Sequence, residues 1–264
     1  MKFFRYWVEN TFNITIGEQV EAIKLLVGSN ISEQDAERQA QQRAQLIEQR
    51  IAQGELPDAY EVAIKEHVEK IIDDNNIITV CRYGAKILNT TQYTIFDLDH
   101  YPVDFFDFVK PVRKLPTKER IVAKFLQRLK RYPELGKDFR IYETTKGIRV
   151  IGKQYLEPTE KNNQRLLQKL NVDWLYTILS QKQNCYRARI TPKPYRLRIP
   201  TIKIRSPLVC QTNAYQQWTK LYQNASERYS VVKLVQIVGN DFSHEPIIQL
   251  HDQHCREALR GTLA

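Results

Sequence analysis

The sequence predicts a mixed α+β fold, with a largely antiparallel sheet flanked by helices and an N-terminal αβ subdomain ahead of the main core. Three observations carry that expectation. Short apolar runs with two-residue alternation recur between glycine, asparagine and threonine punctuation, as strands and tight turns require. Other segments carry apolar residues three and four apart, the period of an amphipathic helix. From about residue 77 the two kinds follow in the order strands, helix, strand pair, two helices, strand, helix, strand, which suits an antiparallel sheet with helices packed on it.

Taken in order, Phe4, Tyr6 and Val8 alternate with Arg5, Trp7 and Glu9, so residues 3–16 read as a strand or hairpin. A second strand over 18–27 ends at Gly28-Ser29-Asn30. Ser32 with Asp35 three residues on gives a helix start, and the helix over 33–53 carries the narrow stripe Ala36, Ala40, Ala44, Ile47 and Ile51. Gly54 and Pro57 end it; residues 60–64 are strand-like and 66–72 read as a short helix. Three β-rich runs at 77–81, 85–89 and 93–99 suggest a meander. Thr117 caps a helix over 118–131 whose stripe is Ile121, Val122, Phe125, Leu126 and Leu129. Residues 139–143 and 148–152 flank Thr144-Thr145-Lys146-Gly147 as a hairpin, and helices over 159–170 and 173–183 follow. A helix over 213–227, a strand over 231–238 and a last segment with His244, His251, Asp252 and His254 complete the chain. Domain boundaries are expected at 1–75 for the subdomain and 76–264 for the core.

No apolar run approaches the roughly 18 residues that span a bilayer, and charges come too early for a signal peptide, so a cytoplasmic protein without membrane contact is expected. Cys81, Cys185, Cys210 and Cys255 are scattered without a Cys-x-x-Cys, which indicates neither a zinc site nor a disulfide framework. The net charge of +10 comes from one stretch. Between Asp173 and Glu227 there is no acid, while Lys182, Arg187, Arg189, Lys193, Arg196, Arg198, Lys203, Arg205 and Lys220 all fall there. Such a segment, densest over 182–205, points to nucleic acid or nucleotide phosphate as the partner.

Three constellations could carry chemistry. In Thr94-Ile95-Phe96-Asp97-Leu98-Asp99 a strand would put both acids on one face, an uncomfortable pair unless a cation sits between them; a divalent metal is one answer. The turn Thr144-Thr145-Lys146-Gly147, followed by Arg149, can offer N–H groups and cations to phosphate oxygens. In the third, Arg187 and Arg189 lie on one face of an extended segment, Arg196 and Arg198 repeat the spacing, and Pro192 and Pro194 stiffen the loop around Lys193.

The order Asp-x-Asp strand, then a hairpin with small-x-x-Gly-x-basic-apolar, then a basic strand resembles the archaeo-eukaryotic primase superfamily over residues 77 to about 205. The resemblance implies a primase-like core of modified RNA-recognition type and metal-dependent nucleotidyl transfer. Asp97 and Asp99 would then hold Mg²⁺ or Mn²⁺, Thr144, Thr145, Lys146, Gly147 and Arg149 would bind nucleoside triphosphate, and Arg187, Arg189, Lys193, Arg196 and Arg198 would grip DNA or RNA. The stretch Arg-Ala-Arg-Ile-Thr-Pro-Lys-Pro is also similar to a group of uncharacterised bacterial proteins. Arg149 stands where that superfamily has the histidine of Ser-x-His, and Asp173, Asp241 and Asp252 are the candidates for a third acid. Those departures keep a second expectation open, a non-catalytic module that binds nucleic acid through its basic face.

Overall fold

The apolar runs become strands of two four-stranded antiparallel sheets, and the amphipathic segments become helices around them, in a computed structural model that describes residues 1–16, 19–54, 64–101, 114–259 and 261–264. Six helices and twelve strands among those residues give the mixed α+β class. β1 (Tyr6–Ile16) and β2 (Gln19–Ser29) form a long antiparallel hairpin. Helix α1 (Glu33–Ala52) starts where Ser32 accepts the Asp35 backbone N–H, and it lies on the hairpin. Its buried Ala40 and Ala44 pack with Leu25 and Val27, small side chains that let helix and hairpin approach closely. Of the strand expected at 60–64, residues 60–63 lie outside the described residues, and Ile64 bridges Phe3.

Residues 66–72, expected as a short helix, are instead most of strand β3 (His67–Asp73). Seven residues are too few to sustain a helix unaided, whereas Val68, Ile71 and Ile72 are β-branched and β4 (Asn76–Val80) offers a ladder. The Asp73 carboxylate fixes the turn by accepting from the Asn75 backbone and the Asn76 amide. The boundary expected at residue 75 therefore falls inside this hairpin. β5 (Lys86–Thr90) completes a three-stranded meander, but β6 (Thr94–Leu98), which carries Asp97, leaves it and pairs with a later strand in the second sheet.

Helix α2 (Thr117–Leu129) sends Phe125 between Phe96 and Phe139 in edge-to-face contacts, with ring centroids 5.8 and 5.6 Å apart. β7 (Phe139–Thr144) and β8 (Ile148–Gly152) form the expected hairpin, and β8 pairs with β6. After α3 (Lys161–Lys169) and α4 (Trp174–Gln183), β9 (Tyr186–Arg189) returns to the first sheet beside β5. The spacing of Arg187 and Arg189 that Arg196 and Arg198 repeat in sequence is not repeated as a strand. Pro194–Leu197 is a 3₁₀ turn, and Arg198 ends it in the left-handed region at φ +57°. Helix α5 (Asn213–Ser226) packs Tyr215, Trp218 and Tyr222 with Leu197 in a second core. A short strand, β10 (Tyr229–Ser230), precedes β11 (Val232–Val238), which closes the second sheet against β7. Helix α6 (Pro246–Cys255) then carries the histidines, and β12 (Thr262–Leu263) pairs in parallel with β10. The strand orders are β3-β4-β5-β9 and β11-β7-β8-β6, so the two acid- and arginine-bearing strands are both edges.

The β7–β8 turn is tied to the end of β6 by a glycine. A Cβ placed on Gly147 would lie 2.2 Å from the Leu98 carbonyl oxygen and 2.8 Å from the Asp99 Cα, so the backbone that approaches this glycine is the chain's own. Gly147→Ala is expected to displace Asp99 and lower stability by about 1–3 kcal/mol, read by denaturant unfolding; unchanged stability would show that the turn yields freely.

Candidate functional site

Strands β6 and β9 run side by side without a shared ladder, and one hydroxyl bridges them. Tyr176 Oη accepts from the Arg187 backbone N–H at 3.2 Å and lies 2.6 Å from the Ile95 carbonyl oxygen, to which it donates. Burial, and after it the Asp97 charge, push this phenol far above its ordinary range, so it keeps the proton it donates. Two residues farther along, Arg149 crosses from β8 to the Arg189 carbonyl at 2.8 Å. Above this seam the sheets enclose a cleft of about 830 Å³.

Its lining, among the described residues, includes eight cationic side chains and three acids: Lys65, Arg82, Lys146, Arg149, Arg187, Arg189, Lys193 and Arg196 against Glu66, Asp97 and Asp99. Most of the residues that the sequence singled out are thus brought together. Arg198 is exposed and outside the cleft lining.

The acids are placed unequally. Asp97 faces Arg149 across the β6–β8 ladder and receives it on both oxygens, Nε to Oδ1 at 2.9 Å and Nη2 to Oδ2 at 3.3 Å. Arg149 is 1% exposed, so it is the partner of Asp97 and not a cation presented to a ligand. Burial works against its charge, but Asp97 outweighs burial and holds the guanidinium above its usual pKa. Asp99 lies past the strand end with its residue surface exposed but its carboxyl partly desolvated by the cleft walls; that desolvation, followed by repulsion from Asp97, raises its pKa. Glu66 binds the Arg187 guanidinium at 2.5 Å, and Gln183 Oε1 accepts from the same group. Apart from those two ion pairs, Arg82, Lys146, Arg189, Lys193 and Arg196 share the lining with Asp99.

The hairpin turn divides its labour. Thr144 is buried and structural, accepting the Gly147 N–H on its hydroxyl and Lys118 on its carbonyl. Thr145 accepts from Arg196 at 2.7 Å, which ties the turn to the loop after β9, and Lys146 stands exposed. Arg189 donates to the Thr191 carbonyl; burial, then Arg149, lowers its pKa. Burial, then Arg189, pulls Lys193 down in the same way.

Of the candidate third acids, Asp173 caps α4 outside the cleft lining and contributes to the raised Asp99 pKa, while Asp241 and Asp252 bind Arg140. Among the described residues no three His, Cys, Asp or Glu side chains group as metal ligands. One carboxylate already engaged and one open do not match the carboxylate set that a two-metal centre uses. His251 is wholly buried, with Nδ1 on Asp252 at 2.8 Å and Nε2 3.4 Å from Arg149. Glu66, Arg82, Tyr83 and Tyr176 were missed as site residues; only the turn signal Arg82-Tyr83-Gly84 hinted at any of them.

Tyr176→Phe should leave the Arg187 N–H without its acceptor at the seam. We expect a loss of about 1–3 kcal/mol and faster amide exchange at Arg187; wild-type protection there would contradict the bridging role. In comparisons with known proteins, no family model, no curated protein and no solved structure matches this chain.

Proposed function

We propose that the cleft binds the phosphates of a nucleotide or a nucleic-acid strand, as a binding module without metal-dependent chemistry. The observation that carries this reading is the crowding of cations on one cleft wall: Arg149 and Arg196 press on Arg189, Arg189 and Arg196 press on Lys193, and among the described residues no carboxylate is bound to Arg189 or Lys193. Such crowding of half-buried cations is costly in the free protein and is relieved by an anion, which makes it a mark of function more than of stability. Lys146 and Arg196 add two donors at the same rim, with Arg196 oriented by Thr145. Two fixed guanidinium groups and two ammonium groups suit phosphate oxygens, since they supply several donors and their charge together.

Metal-dependent nucleotidyl transfer is a second reading, favoured by Asp97 and Asp99 lining one cleft with these cations. The bidentate hold of Arg149 on Asp97 weighs against it. No membrane partner is proposed; among the described residues no helix is long and apolar enough to cross a bilayer.

The phosphate reading fixes which cations matter. Binding of a fluorescent single-stranded oligonucleotide should weaken with salt, each phosphate contact contributing roughly −0.7 to the slope of log K against log salt. Lys193→Ala and Lys146→Ala should weaken binding and flatten that slope, whereas Arg198→Ala, outside the cleft, should leave both unchanged. Arg187→Ala should act on stability, because it strands Glu66. Salt-insensitive binding, or an equal loss from Arg198→Ala, would overturn the assignment.

A further inference from the structure

We propose that Arg149 is a resident cation that takes the place of a divalent metal on Asp97, so that phosphate binding in the cleft is metal-independent. The ligand half of this statement rests on the phosphate reading above; the half concerning Asp97 does not.

The guanidinium is built in, with every direction assigned. Nε and Nη2 go to the two Asp97 oxygens, and Nη1 goes to the Arg189 carbonyl with the His251 ring behind it. Asp252 fixes that ring through Nδ1 and is itself held by Arg140 at 2.9 Å, which extends the support through α6 to β7. A divalent ion approaching Asp97 would have to dislodge a fully buried arginine held through Nε, Nη1 and Nη2. At Asp99 it would meet the positive field of Lys146 and Lys193, the two cations that lower that carboxyl's pKa. The sequence encodes the substitution by register: position 149 is the cross-strand partner of Asp97, and cross-strand partners share a face. Removing the guanidinium while keeping both acids should therefore uncover a site for a hard cation, since Asp97 and Asp99 line the same cleft and carboxylate oxygens are the ligands such a cation takes.

Mn²⁺ is the probe, followed by loss of the free-ion paramagnetic resonance signal. Wild type should take up no more Mn²⁺ than Asp97→Asn. Arg149→Gln should bind Mn²⁺ at least about tenfold more tightly than wild type, and the gain should vanish in the Asp97→Asn, Arg149→Gln double variant. Oligonucleotide affinity of the wild type should be the same in EDTA and in Mg²⁺. Uptake by wild type that Asp97→Asn abolishes, EDTA-sensitive binding, or a folded Arg149→Gln with no gain would each overturn the proposal. If circular dichroism shows Arg149→Gln unfolded, the wild-type and Asp97→Asn comparison decides alone. An oligonucleotide that fails to bind at all sinks the phosphate reading, and the Mn²⁺ titrations still decide whether Arg149 holds the place of a metal.

Discussion

The ion pair between Arg149 and Asp97 sets what the rest of the cleft can be. A guanidinium this deeply buried carries a desolvation cost of several kcal/mol, which only close counter-charges and hydrogen bonds offset. Asp97 supplies the charge, the Arg189 carbonyl supplies a further acceptor, the His251 ring packs 3.4 Å behind Nη1, and Asp252 and Arg140 hold that ring in turn. Because these groups come from β6, β7, β8, β9 and α6, one side chain ties five elements to a single arrangement. Asp97 is thereby committed to structure, and the acidic potential of the site falls to Asp99.

The cleft exists because two sheets meet without merging. β6 and β9 lie edge to edge, yet Tyr176 and Arg149 stand between them where ladder hydrogen bonds would be. The space beside that line is lined from both sheets. β9 brings Arg187 and Arg189, the β7–β8 turn brings Lys146, and the loop after β9 brings Lys193 and Arg196. Thr145 and Arg196 lock the turn to the loop, so cations distant in sequence are held at one rim.

The fold class was legible because hydrophobic period and turn residues are local properties. The helix over 33–52, the 139–152 hairpin and the strand of Asp97 all follow from them. The stretch 66–72 was misread because its strand state depends on pairing with β4, a contact that a seven-residue window does not contain. Of the site, the residue types and their approximate grouping were readable from the acid-free basic stretch. Which arginine pairs inward was not. Arg149 and Arg187 look like Arg189 in sequence; only cross-strand register and the arrival of Glu66 separate a buried counter-ion from a cation open to ligand. The burial of His251 was not legible because α6 is only weakly one-sided and that burial depends on β7 and β8 lying over it.

The central claim is that Arg149 and Asp97 act as one unit, and a double-mutant cycle on unfolding free energy tests it most directly. Asp97→Asn, Arg149→Gln and the double variant would be unfolded in urea beside wild type. The account predicts a coupling energy of about 1–3 kcal/mol, with the double variant less destabilised than the sum of the two single changes. Asp97 is 39% exposed at its side chain, so the value should fall below the roughly 3–5 kcal/mol of a wholly buried pair. Additive effects, within about 0.5 kcal/mol, would contradict it.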